Sequence, residues 1–137
     1  PRQDPHGEAG VVAIFAGKLL NRELCTIYGT GMQTRDFVFV DDVASAFVAS
    51  IESGDGKLLN IGTGTETSIQ YLYEEMALAS GIESAPEKGA ERSGEIERSA
   101  LDPSLAEEIL GWSPQTSLRD GIHSTLEWFK SKKEETS

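Results

Sequence analysis

The sequence predicts an α/β fold with few, short strands and about five helices. Three observations predict it. Short apolar, β-rich runs, LCTIY (24–28), FVFV (37–40) and KLLNI (57–61), are bounded by turn chemistry such as GTG, SGDG and GTGT. Longer segments between and after them repeat their apolar positions at helical spacing. Helix-start and helix-stop residues sit at the ends of those segments.

The elements follow in chain order. PRQDPHGEAG (1–10) reads as a loop, because prolines and glycines crowd it. GVVAIFAGKLL (10–20) reads as a helix with a broad apolar face, weakened by Gly17. Strands are expected over 24–28 and 37–40. Asp41 then stands where an N-cap belongs and Asp42 in the first turn, where the helix dipole favours an anion. The helix expected over 43–53 puts Val43, Phe47, Val48 and Ile51 on one face, and SGDG ends it. A third strand is expected over 57–61. Thr67 or Ser68 caps a helix over 69–80, which Gly81 stops. The polar stretch 83–98 reads largely as loop. Asp102 caps a short helix running to Leu110, with Pro103 at its first position. Ser117 opens the last helix, with Leu118, Ile122, Thr125, Leu126 and Phe129 on its apolar side; 130–137 reads as a frayed polar end. Three short strands make a poor sheet alone, and FVFV wants neighbours on both faces. The pattern is globular but topologically incomplete.

Composition narrows the function. A chain of 137 residues is one domain or a piece of one, long enough to bury roughly 68% of its unfolded surface. A formal net charge of -11 argues against general nucleic-acid binding, since phosphates would be repelled. The single cysteine, Cys25, leaves no internal disulfide and no metal-site spacing. No signal peptide and no membrane-spanning run stand out, so a soluble, cytoplasmic protein is the expectation.

Few residues carry chemistry. Arg35 follows a glycine-rich turn and precedes a strand, where a guanidinium can bind phosphate in a bidentate way. On spacing alone, a salt bridge to Asp36 or another acid is the favoured reading of it. Arg92, in ERSGEIERS, is either a ligand contact or a solvated loop arginine, and Glu95 could orient it or a ligand hydroxyl. GTGM and GTGTE are not dinucleotide loops, because neither links a first strand to a helix N-terminus with an acid about twenty residues on. His6 and His123 stand alone, and no Ser–His–Asp set, carboxylate dyad or metal cluster can be assembled. Cys25 reads as a small buried residue rather than a nucleophile.

Four blocks, PRQDPHGEAGVVAIF, LCTIYGTGMQTRDFVFVDDVASAF, LLNIGTGTETSI and ERSGEIERSALDPSLAEEILGWSP, resemble in order those of the NAD-dependent nucleotide-sugar epimerases and dehydratases. These are the extended short-chain dehydrogenases, and the UDP-glucose 4-epimerases are the nearest branch. The resemblance implies the C-terminal, substrate-binding part of an extended Rossmann-fold enzyme. Residues 1–137 would be the nucleotide-sugar-binding portion, with 36–62 packing on a Rossmann sheet outside this chain. The family's GxxGxxG loop and Tyr-x-x-x-Lys pair do not occur here, since Tyr71 and Tyr73 lack a lysine four residues on. The implied N-terminal half would hold NAD, and this portion alone would be inactive.

The same resemblance implies the site. Arg35, of the T-R-D-F block, and Arg92, of the R-x-G-E loop, would contact the nucleotide diphosphate. Glu95 would contact a ribose hydroxyl, although aspartate is the commoner residue there. Cys25, Thr26, Ile27 and Tyr28 would lie beside the uracil, Val11 and Val12 near the nucleotide, with Gln33 and Asn60 as further candidates. The implied ligand is a UDP-sugar and the implied reaction a 4-epimerisation by transient oxidation at C4. A dehydratase or decarboxylase of the same family, or a non-catalytic binding fragment, fits the same blocks. The implied protein partner is its own N-terminal half; a homodimer, which the family often forms through helices of that half, stays open.

Overall fold

The computed structural model describes residues 10–135, with side-chain exposure given to residue 134. The loop expected over 1–10 and His6 therefore lie outside the described residues, Gly10 excepted. The observed order is α1 (Val11–Leu20), β1 (Thr26–Tyr28), β2 (Thr34–Arg35), α2 (Val40–Ala49), β3 (Thr67–Ser68), α3 (Ile69–Ser80), β4 (Glu87–Gly89), α4 (Ser104–Leu110) and α5 (Leu118–Glu135). This is the expected α/β class, with five helices and few strands. Two sheets of two strands form, β1 with β4 and β2 with β3. The chain divides into two compact units.

The first unit takes in the described residues of Pro1–Met32, Ser68–Glu95 and Arg119–Ser137. Apolar burial organises it. Phe15, Leu19, Ile27, Leu72, Met76 and Leu126 are its large, fully buried side chains. Phe15 on α1 meets Tyr73 on α3 edge-on, with ring centroids 5.6 Å apart. Local signals set the ends of α3 as the sequence predicts. Ser68 Oγ accepts the Tyr71 N–H at 3.1 Å, and Gly81 turns left-handed at φ 71°. Ile82 N–H then reaches Ala77 O and Gly81 N–H reaches Leu78 O, which satisfies carbonyls the helix end would orphan. β1 and β4 run parallel, pairing Thr26 with Glu87, Ile27 with Lys88 and Tyr28 with Gly89. A parallel pair needs a long crossover, and α3 lies in it. α5 is anchored to this unit by Ile122, Thr125 and Leu126, all buried.

The second unit comprises Gln33–Thr67 and Ile96–Leu118. Its apolar core is small: Ala46, Ala106 and Trp112, with Leu59, Ile61 and Leu110 packed against it. Two carboxylates organise the loops around that core. Asp36 accepts hydrogen bonds from Thr63 N–H at 2.9 Å, Gly64 N–H at 3.0 Å and Leu101 N–H at 3.2 Å, and from the Thr63 hydroxyl at 2.5 Å. Asp42, buried on α2, accepts from the backbone of Gln115 at 3.1 Å and Thr116 at 3.0 Å. The Trp112 indole N–H donates to Asp42 O at 2.8 Å.

Several expectations need correction. The runs 37–40 and 57–61 form no strand, because no described segment completes a hydrogen-bond ladder with them; β2 forms at Thr34–Arg35 instead. α2 starts at Val40 with Phe39 as N-cap, so Asp41 lies inside the first turn rather than at the cap, and the helix ends at Ala49 rather than 53. The apolar face of this segment, expected to pack on a sheet outside this chain, is open. Phe47 is 72% exposed, Val48 67% and Ile51 80%, while Asp42 and Ala46 face inward. The stretch 83–98 is largely loop as expected, with the short β4 inside it. α4 starts after Pro103, with Asp102 Oδ1 accepting the Ser104 N–H at 3.0 Å. The end expected to fray continues α5 to Glu135.

Candidate functional site

Most of the predicted site residues lie in the first unit. Val11 and Val12 occupy the first turn of α1, half-buried, after an exposed Gly10. Cys25 and Ile27 are buried, and Thr26 is half-buried beside them. Burial pushes the Cys25 thiol up to about 11, so at neutral pH it is a packed thiol and not a nucleophile. Tyr28, 38% exposed, ends β1. The turn Gly29–Thr30–Gly31 follows, and it needs its glycines. Gly31 sits at φ 77°, and a Cβ there would meet Ile27 Cγ2 at 2.9 Å.

Arg92 extends from the loop after β4, and its guanidinium stacks over the Tyr28 ring, 3.9 Å from the centroid. Glu95 closes the same turn, its N–H donating to Arg92 O at 3.2 Å, with Gly94 left-handed between them. The structure thus joins Tyr28, Arg92 and Glu95 at one end of the β1–β4 pair. The arginine forms a local cation in a chain of net charge -11.

Arg35, Gln33 and Asn60 belong to the second unit. Arg35 Nη1 donates to the backbone oxygens of Thr34 and Ile96, each at 2.7 Å. Its guanidinium therefore ties β2 to the 96–98 segment. The neighbouring Asp36 carboxylate, a salt-bridge candidate in the sequence, is committed to the amides of Thr63, Gly64 and Leu101. Partial burial raises its pKa, and the Thr63, Leu101 and Gly64 hydrogen bonds outweigh that and hold it below the usual value. Glu66 is the acid that pairs in this region. It takes Arg98 in a fork at 2.6 and 3.0 Å and the Thr34 hydroxyl at 2.7 Å. Those donors, Arg98 first, hold it at about 2. Gln33 is half-buried, and Asn60 Nδ2 donates to Asp102 O at 3.2 Å. An open cavity of about 370 Å³ in this unit is lined by Phe37, Thr63, Thr65, Thr67 and residues 114–118; none of the predicted residues lines it.

Sequence reasoning missed the Asp36 hub and the Glu66–Arg98 pair. The signal for Asp36 was present. A GTGT turn leaves successive amides pointing one way, and such amides demand an anion. Here the anion is a side chain. That occupation bears on a dinucleotide as well: amides that would cradle a phosphate at Thr63 and Gly64 already hold Asp36, and a Cβ at Gly62 would meet Asp36 Oδ2 at 2.6 Å. The glycines of this turn serve internal packing, and its Thr63 and Gly64 amides are not open to a phosphate. Among the described residues, no three His, Cys, Asp or Glu side chains gather as a metal site, and no helix is long and apolar enough to cross a membrane.

Comparison with known proteins places the chain in a family. The chain is 51% identical over 133 residues to UDP-glucose 4-epimerase of Mycolicibacterium smegmatis, covering 96% of this chain and 42% of that one. It superposes with TM-score 0.94 and 42% identity on Thermotoga maritima UDP-glucose 4-epimerase with UDP-glucose, covering 96% of this chain and 43% of that one. With the Thermus thermophilus UDP-glucose 4-epimerase complex with NAD the TM-score is 0.83 at 39% identity, over 95% of this chain and 43% of that one. The chain thus spans about two-fifths of the length of these relatives, and its fold is that of their C-terminal part. Residues 1–125 match the family described as GDP-mannose 4,6 dehydratase, and the chain belongs to that family of nucleotide-sugar epimerases and dehydratases.

Proposed function

We propose that this chain is the nucleotide-sugar-binding part of an NAD-dependent UDP-glucose/UDP-galactose 4-epimerase, a cytoplasmic enzyme acting by transient oxidation at sugar C4. The observation that carries the binding role is the Arg92 guanidinium stacked on Tyr28, with Glu95 in the same turn. Arg92 takes a diphosphate oxygen by a charge-assisted hydrogen bond. Glu95 accepts from a ribose hydroxyl, and Cys25, Thr26, Ile27 and Tyr28 border the base. Val11 and Val12 lie near the nucleotide, and Gln33 and Asn60 remain weaker candidates. Arg35 is a second cation for the diphosphate, to be tested separately. The 51% identity to a UDP-glucose 4-epimerase supports the substrate class. Hydride exchange at C4 is the chemistry NAD supplies, in a nucleotide-binding half outside this chain. The contribution of this chain is binding energy that orients the sugar.

The test is interconversion of UDP-galactose and UDP-glucose by the full-length protein with NAD, followed by NMR. Arg92→Ala should weaken UDP-sugar binding by about tenfold to a hundredfold, as for one lost charge-assisted contact. Unchanged affinity would remove Arg92 from the diphosphate. The family's description as a dehydratase favours one alternative. Release of a dehydrated keto sugar without epimerisation would establish it in place of the epimerase.

The same reading assigns 36–62 to packing on the sheet of the nucleotide-binding half. The support is the open face of α2 together with Leu58, 91% exposed, and two β-rich runs that lack a ladder. In the full-length protein the amides of 37–40 and 57–61 should resist hydrogen exchange; free exchange there would sink the assignment.

A further inference from the structure

The stack that presents Arg92 depends on where the Tyr28 ring lies, and a glycine decides that. Tyr28 faces Gly89 across the parallel β1–β4 pair, and the Gly29 N–H donates to Gly89 O at 3.1 Å. A Cβ on residue 89 would lie 2.7 Å from Tyr28 Cδ1, 2.9 Å from Cε1 and 3.0 Å from Thr26 Cγ2. The first two distances are shorter than side chains tolerate, and the atoms in the way belong to a ring rather than to a flexible tip. Gly89 is not among the positive-φ glycines, so its backbone accepts alanine without strain. What excludes a side chain is the Tyr28 ring. The guanidinium of Arg92 lies over that same ring, 3.9 Å from its centroid.

We propose that Gly89 and Tyr28 are positioning residues for Arg92. The missing side chain at 89 seats the Tyr28 ring against β4, and the seated ring holds the guanidinium where a nucleoside diphosphate meets it. The benefit is preorganisation. An arginine on an exposed loop otherwise loses rotamer freedom when its ligand binds, and the ring has already restricted it. This rests on the reading of Arg92 as a diphosphate ligand, and the test separates the two.

The experiment uses the full-length protein and UDP as probe, with affinity by calorimetry and the Arg92 side-chain proton shifts by NMR. A guanidinium over a ring face carries an upfield ring-current shift. Gly89→Ala should abolish that shift and weaken UDP by about two- to fivefold, the scale of an exposed cation–π contact. Tyr28→Leu should abolish the shift, and Tyr28→Phe should keep it, which a loss of folding would not reproduce. Adding Gly89→Ala to Arg92→Ala should cost nothing more. An unchanged Arg92 shift in Gly89→Ala, or an equal loss of UDP affinity in the Arg92→Ala background, would overturn the proposal. If Arg92→Ala alone leaves UDP affinity unchanged, the diphosphate role falls. The Gly89→Ala shift then decides the ring seat by itself.

Discussion

In the unit of α1, β1, α3, β4 and α5, the large side chains withdrawn wholly from solvent are Phe15, Leu19, Ile27, Leu72, Met76 and Leu126. In the unit of β2, α2 and α4, the buried apolar residues are Ala46, Ala106 and Trp112, while Phe47, Val48, Ile51 and Leu58 face outward. The first unit is held by apolar burial, with polar contacts at its helix ends. The second is held by carboxylates that collect backbone amides from distant loops, Asp36 from Thr63, Gly64 and Leu101, and Asp42 from Gln115 and Thr116. A unit that buries little of its apolar surface is organised by satisfied anions instead. The site candidates divide along the same line. Arg92 is set by packing around a ring, and Arg35 by carbonyls within a hydrogen-bonded network.

The comparison can be broken by mutation. Its largest expected effect is in the first unit. Leu72→Ala removes a fully buried side chain and should destabilise by about 2–5 kcal/mol in urea unfolding. A loss within about 0.5 kcal/mol, the scale of a surface substitution, would mean that packing does not hold this unit. Asp36→Ala should follow, at about 2–3 kcal/mol, because amides at Thr63, Gly64 and Leu101 lose their shared acceptor. If Asp36→Ala proves neutral, the carboxylate account of the second unit is wrong.

Titration sharpens the contrast with smaller effects. Asp36, Glu66 and Asp102 in the second unit all have folded pKa values below their ordinary ones. A depressed carboxylate contributes stability above its unfolded pKa and loses it as pH falls through the folded value. The second unit should therefore weaken from about pH 4.5 down to about 2, the window that Glu66 spans. Glu75 and Glu127, lowered by Arg119 and Lys130, give the first unit its own share of that loss. Cys25 works in the other direction. Its thiol is raised from 9.0 to about 11 by burial, so its contribution is complete below pH 9 and disappears as pH rises toward 11. Hydrogen exchange across pH should show the second unit opening more in acid and β1 opening in alkali. Equal responses in both units would remove the distinction.

Helix α3 was legible almost to the residue, because Ser68 and Gly81 are local signals whose partners lie within one turn. α1 and α5 were legible from periodicity. The runs 37–40 and 57–61 were misread, because a β-rich sequence states a preference but a strand exists only when another segment completes its ladder. Periodicity marked Phe47, Val48 and Ile51 as one apolar face, and the structure leaves that face open; periodicity gives a face, not what covers it. For the site, the sequence named Tyr28, Arg92 and Glu95 by resemblance to a family, yet the stack of Arg92 on Tyr28 joins residues far apart in the chain.

By itself, then, the sequence determined the class of fold, the ends of α3, the acidic balance and the family. Each of these rests on composition or on residues within a few positions of one another. Only the tertiary structure decided that Asp36 and not a ligand fills the GTGT amides, that Glu66 rather than Asp36 pairs with an arginine, and that Gly89 makes room for the Tyr28 ring. Those facts depend on groups brought within about 4 Å across long stretches of chain, and no local pattern encodes such a distance.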